Sequence, residues 1–304
     1  MYPSLIRAVE MATGEVIVAS KTATGVHRLA VGTVGELLGS PLDDIRRIVE
    51  DSLQRPPTAV HPTPLPPLDG AGEVWAAGVT YERSRQARVE ESDVEDVYDR
   101  VYAATRPELF FKCTAWRVVT DREPIAIRLD SDNDTPEPEL GLVVNAQAEV
   151  VGYVVVNDMS SRTIEGENPL YLPQAKIYDG ACAISPNITP AWAVGDPRDL
   201  TIRLAIERRG ATVFQGTAST AQLQRSLDEL VEYLFHSTTF PEGAVLSTGT
   251  SLVPPIDQPT RAGDVVVISI DEVGELVNPV TTPDRVGPWL TERRTEPLAP
   301  PPEV

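Results

Sequence analysis

Lysine is scarce in this chain: Lys21, Lys112 and Lys176 are the only three in 304 residues, against 23 arginines. Surface solvation is left to Arg, Asp and Glu, so two lysines inside motif segments are more informative than they would be in a lysine-rich protein. Histidine is equally sparse. His27 and His61 precede the chemistry-bearing region and His236 follows it, which gives little support to a His-based triad or a zinc site. The two cysteines, Cys113 and Cys182, lack metal-ligand spacing and read as buried thiols of a reducing cytosol, not as a disulfide framework. No run reaches the ~20 apolar residues of a membrane span. The start, Met1-Tyr2-Pro3-Ser4-Leu5, has no basic region followed by an apolar core. The expected location is the cytoplasm, with no membrane partner. Positive charge is also short: 26 Lys and Arg face 45 Asp and Glu, a formal net charge of −19. Nucleic acids and anionic membranes need basic surface and are excluded as partners.

The length allows one large domain or two. Residues 1–68 read as a small α/β module, with a strand at Glu15–Ala19 and helical spacing at 34–38 and 42–49. It ends in His61-Pro62-Thr63-Pro64-Leu65-Pro66-Pro67-Leu68, too proline-dense for a helix or a central strand. The main domain is placed at 69–290. It opens on a buried strand at 74–79 and a polar helix over about 82–102, then becomes β-rich. Strands are predicted at 125–129, 140–144, 150–156, 200–206 and 265–270, and an amphipathic helix at Thr220–Phe235. The Pro-rich tail, 291–304, is expected to be disordered. The fold class is α+β and β-rich, a roll or barrel of many short strands.

Within that domain stand three carboxylates and a lysine. Glu137 and Glu139 lie in Thr135-Pro136-Glu137-Pro138-Glu139-Leu140. In an extended strand residues two apart face one side, so both can aim at one point. The 150–156 strand delivers Asp158 at its end, and Lys176 follows in Ala175-Lys176-Ile177-Tyr178-Asp179. Carboxylates without nearby His or Cys suit a hard cation, Mg²⁺ or Mn²⁺. Taken singly, Glu137 and Glu139 read more readily as surface charges on an edge strand, which the flanking Pro136 and Pro138 favour.

These segments resemble the fumarylacetoacetate hydrolase superfamily, in which an E-x-E pair and a later Asp hold one divalent metal and a Lys follows in a K-x-x-D segment. The likeness runs from about Gly78 to Val280 and includes Pro107-Glu108-Leu109-Phe110-Phe111-Lys112, Thr248-Gly249-Thr250 and Ala262-Gly263-Asp264-Val265-Val266. Segments 78–84, 97–102 and 106–108 look most like the branch that dehydrates 2-keto-3-deoxy sugar acids. The resemblance implies a mixed β-sandwich roll with Glu137, Glu139 and Asp158 as metal ligands and a homodimer or homotetramer. It makes Lys176 face the substrate, a small 2-keto acid, and Thr250 contact the substrate carboxylate. Ser84 and Arg88 fall where the family has its lid, so they either bind substrate or belong to a solvated helix face. Lys112 either lines the pocket or covers apolar surface with its stem. Glu108, beside Phe110 and Phe111, is either a helix-end or surface carboxylate or a second proton-transfer candidate with Lys176, since desolvation raises a carboxyl pKa; which of the two is base and which is acid stays open.

The implied reaction is Mg²⁺-dependent dehydration of 2-dehydro-3-deoxy-D-arabinonate to 2,5-dioxopentanoate. The superfamily's C–C hydrolases carry a His shortly after the strand that here ends at Gly78, and 78–88 contains none. That favours elimination over water attack. The alternatives are an acylpyruvate hydrolase or oxaloacetate decarboxylase of the same superfamily, and a non-catalytic binding protein on the same fold.

Overall fold

The computed structural model describes residues 3–58, 62–83, 85–86 and 95–304. Its largest sheet is built on the antiparallel strands Pro138–Val144 and Val150–Asp158. On one side the sheet continues through Ala244–Ser247 and Glu73–Gly78, which are parallel to each other, to Glu108–Thr114. On the other it passes through Asn187–Pro190 to Ser4–Glu10, Glu15–Thr22 and Gly25–Arg28. The N-terminal segment therefore extends the sheet of the main body. The proline-dense connector contributes only the three-residue strand Thr63–Leu65, paired with Ser4–Glu10.

A second sheet has the order Ala211–Ser219, Thr201–Arg208, Asp264–Ile270, Gly274–Thr281, Ile125–Ala126. The two sheets share a core, and the reason is visible in the central strands. Leu140, Leu142, Val144, Tyr153 and Val155 meet Ile202, Leu204, Val266 and Ile268 of the second sheet. The alternate residues Val143, Val154 and Val156 pack on the opposite face with Ile17, Ile184 and, from the helix Leu42–Leu53, Ile45 and Val49. A strand buried on both faces reads as a nearly continuous apolar run. Each branched side chain buried there contributes roughly 1.5–3 kcal/mol. Pro138 is the first residue of its strand, which lies between two others and is no edge.

Some elements differ from the sequence reading. The helix expected over Thr220–Phe235 divides into a turn at Thr220–Gln222 and a helix at Leu227–Phe235. Two caps cause the division: Ser219 caps the turn, and Ser226 accepts from Glu229 N at 3.1 Å. The strand expected at 125–129 stops at Ala126. Of the polar helix over 82–102, the described parts at 82–83, 85–86 and Glu95–Ala103 are helical. Part of the Pro-rich tail packs on the preceding helix. Trp289, in the helix Pro283–Arg293, donates its indole N–H to Ala299 O at 2.9 Å, and Ala299 is buried. Proline lacks a donor but leaves carbonyls free to accept, so a Pro-rich tail can still be tied down. No described helix is long and apolar enough to cross a membrane.

Candidate active site

The central strand pair makes the site. Their register sets Val156 opposite Glu139 and Asn157 opposite Pro138, and Asp158 N donates to Glu137 O at 3.0 Å. Asp158 thus faces Glu137 across the ladder, with Glu139 two residues along the same face. One carboxylate oxygen from each of the three lies within 4.8 Å of the others, and all three residues are buried. Gly141, next on that face, has no room for a side chain, since a Cβ there would stand 2.6 Å from Val156 Cγ2.

Two buried ammoniums answer these charges. Lys176, last residue of the helix Leu172–Lys176, donates to Glu137 Oε2 at 2.6 Å and Asp158 Oδ2 at 3.0 Å. Its Nζ lies 5.7 Å from the centre of the Phe110 ring. Lys112 pairs with Asp158 Oδ1 and donates to Met159 O at 2.9 Å and Lys176 O at 2.6 Å. Its ammonium is thus held by two backbone carbonyls and one carboxylate of the protein. Lys112 sits behind Asp158, 1 % exposed, and fixes the backbone from which Lys176 projects; a substrate contact at Lys112 stays a proposal. Asp179, three residues after Lys176, lies 3.2 Å from Arg117 Nε.

Among the described residues three carboxyl groups here face two ammoniums, and Glu139 is the one that neither ammonium contacts. Burial first, then Asp158 and Glu137, push its carboxyl up to about 8, although Ser247 Oγ donates to it at 2.5 Å and Gly249 N at 2.8 Å. Burial also pushes Asp158 up, but Lys112 and Lys176 outweigh it and hold that carboxyl below its usual value. A dry cluster of oxygen donors, one of which releases its proton to a bound cation, fits a hard divalent cation. Glu137, Glu139 and Asp158 are the group that can hold it.

The space at the cluster is about 20 Å³, room for one water-sized body. Its wall includes Gly78, Glu108, Phe110, Glu165, Lys176 and Thr250. Glu108 opens its strand opposite Gly78, where a Cβ would collide with the Glu108 carboxyl at 2.2 Å. Thr250 donates to Pro138 O at 3.0 Å and accepts from Leu252 N at 3.1 Å. Ser84 and Arg88 lie outside the described residues. No histidine of the described residues lines the cavity: His27 bonds Arg55 O through Nδ1 at 2.9 Å, and His236 ends the helix Leu227–Phe235.

The sequence reading missed Glu165. It is buried, lines the cavity and accepts from Ser160 Oγ at 2.8 Å. The chain turns back after Asp158 through the helix Arg162–Glu167, capped by Ser161. A Ser followed by an acidic residue in the first helical turn was the available signal.

Gly249 makes a testable contribution. Its φ is +92°, and a Cβ would stand 2.0 Å from Thr80 Oγ1 and 3.0 Å from Ala77 O. Gly249→Ala is expected to cost about 1–3 kcal/mol and to move the N–H that holds Glu139, weakening cation binding. Denaturant unfolding and cation titration check this, and a variant normal in both refutes it.

Fold and site together define an enzyme-type centre in which buried carboxylates and lysines surround a cation position on a two-sheet roll. The chain belongs to the fumarylacetoacetate (FAA) hydrolase C-terminal family, whose profile matches residues 73–281. It is 46 % identical over 265 residues to a probable 2-keto-3-deoxyxylonate dehydratase of Haloferax volcanii, covering 87 % of this chain and 86 % of the relative. It is 41 % identical over 212 residues to a 2-dehydro-3-deoxy-D-arabinonate dehydratase of Saccharolobus solfataricus, covering 68 % and 71 %. Among solved structures it is similar to 2-keto-3-deoxy-D-arabinonate dehydratase complexed with magnesium and 2,5-dioxopentanoate. There the TM-score is 0.78 and the identity 32 %, over 92 % of this chain and 99 % of that one.

Proposed function

We propose that this protein is a Mg²⁺-dependent hydro-lyase that converts 2-dehydro-3-deoxy-D-arabinonate to 2,5-dioxopentanoate, with Mn²⁺ as the alternative metal. The observation that carries the reading is the buried Glu137, Glu139 and Asp158 cluster with Lys176 across it. The two dehydratase relatives and the magnesium-bound neighbour support it.

In this reading the three carboxylates hold the cation. When bound, it supplies Lewis-acid polarisation of an α-keto acid, which acidifies the C3 protons. Lys176 holds positive charge beside the developing negative charge. Glu108 and Lys176, both on the cavity wall, move the protons: one leaves C3, and the C4 hydroxyl departs as water. Shift of the double bond to C4–C5 gives an enol that relaxes to the C5 aldehyde. Thr250 and Gly249 border the end where a substrate carboxylate would lie. Ser84 and Arg88 remain proposed substrate contacts.

We also propose a homodimer or homotetramer, residues 1–68 as a structural module beside the catalytic region 69–290, and a cytosolic location, in keeping with two free buried thiols. Light scattering at micromolar concentration tests the assembly, and a monomer refutes it.

Purified protein given the substrate and Mg²⁺ is expected to form an aldehyde, detected by coupling to an aldehyde dehydrogenase. Chelation should abolish turnover and added Mg²⁺ restore it. Pyruvate with glycolaldehyde, or rapid hydrolysis of an acylpyruvate without aldehyde, would overturn the assignment. Because Glu139 keeps its proton up to about 8, cation binding must displace that proton. Mg²⁺ affinity is expected to rise with pH until about 8 and then level. Calorimetry in buffers of different ionisation enthalpy reads the released proton, and pH-independent affinity would contradict the argument.

A further inference from the structure

A second cavity lies apart from the carboxylate cluster, between the N-terminal segment and the C-terminal helix. Its volume is about 250 Å³, and its wall includes Arg7, Asp69, Trp116, Arg293 and Arg294. In a chain of net charge −19, three guanidiniums here meet one carboxylate. Asp69 already accepts from Val34 N and Gly35 N at 2.9 Å each and lies 3.4 Å from Arg7 Nε. Arg293 is committed to Glu123 and Val118 O and stacks on Trp289.

The other two arginines have capacity left. The Arg7 side chain is 19 % exposed, yet its one hydrogen bond is a long one, NH1 to Pro66 O at 3.5 Å, and its buried Nε makes none. Burial lowers the Arg7 pKa; Asp69 opposes that shift and Arg293 adds to it. Arg294 lies 5.3 Å from the centre of the Trp116 ring and forms no ion pair with a described residue. Stacking fixes the guanidinium plane and leaves its N–H edge available.

We propose that this cavity binds a small dianion, a dicarboxylate or a phosphate monoester, held between Arg7 and Arg294. Guanidinium forks bond both groups bidentately. The volume lies below the roughly 300–1,000 Å³ of pockets for drug-sized ligands, so the occupant has few heavy atoms. Bound there, it ties the strand Ser4–Glu10 to the end of the helix Pro283–Arg293 and so links the two ends of the chain.

The test uses the full chain with Mg²⁺, thermal-shift and calorimetric titration, and two probes, succinate and inorganic phosphate, against chloride at matched ionic strength. A saturable rise in Tm with either probe is expected, and the stronger arm identifies the source of the dianion. Arg294→Gln should weaken that binding by at least about tenfold and leave turnover of the keto acid unchanged. Arg7→Gln should weaken it as well; if that variant does not fold, the exposed Arg294 position decides. No saturable rise with either probe overturns the proposal. So does a rise undiminished in Arg294→Gln, which would assign the anion to the cation site.

Discussion

Lys176→Met is expected to lower kcat by roughly 10²–10⁴-fold, the range for losing a positioned proton-transfer group, while Mg²⁺ still binds. The ammonium touches Glu137 Oε2 and Asp158 Oδ2, is 2 % exposed and has a cavity on its open side. Removing it leaves two buried carboxylates short of a counter-charge. The metal-free variant should therefore melt earlier than the wild type, and Mg²⁺ should restore much of the difference. With the cation present, the loss of activity should far exceed the loss of stability. Turnover near the wild-type rate, or failure to fold in saturating Mg²⁺, would sink the assignment.

Asp158→Asn and Glu139→Gln should shift metal-free stability in opposite directions, though each removes one carboxylate from the same cluster. Asp158 is the shared partner of Lys112 and Lys176. Its loss leaves two buried ammoniums undercompensated, and breaking a buried pair costs about 3–5 kcal/mol. Glu139 is the converse. Its folded pKa of about 8 lies above the ordinary 4.5. The folded chain therefore keeps a proton that the unfolded chain has already released. Stability falls as pH rises between those values, and the loss is complete above about 8. Glu139→Gln removes that dependence and should raise the metal-free Tm at alkaline pH, while weakening Mg²⁺ binding. Urea titrations with chelator across the pH range would read both effects. A destabilised Glu139→Gln variant, or an Asp158→Asn variant of normal stability, would refute this account of the cluster.

The residues that could be placed from sequence were those fixed by local rules. Glu137 and Glu139 share a face through strand alternation, and Asp158 is delivered by the end of a valine-rich strand. Alternation also sets Glu108 and Phe110 on one face, both in the cavity wall. What alternation does not give is depth. Lys112 follows the same period yet lies behind Asp158, because its position depends on carbonyls 47 and 64 residues away. Glu165 arrives through a reversal after Asp158, and Thr201–Arg208 finds its partner Ala211–Ser219 through a tight turn. The turn at Arg209-Gly210, both at positive φ, was the readable hairpin signal. The N-terminal strands were legible as strands but not as an extension of the main sheet, since long-range pairing leaves no local trace.

The scarcity and burial of lysine make the protein its own reporter. Lys112 and Lys176 are enclosed, and Lys21 is exposed. An amine-reactive reagent applied to the folded chain meets Lys21, the one exposed lysine, giving a point for a dye or a surface tether outside the cavity wall. Acylation of Lys176 would require the cavity to open. The rate at which that label accumulates, read by mass spectrometry with and without substrate, therefore clocks the opening of the site without any engineered probe.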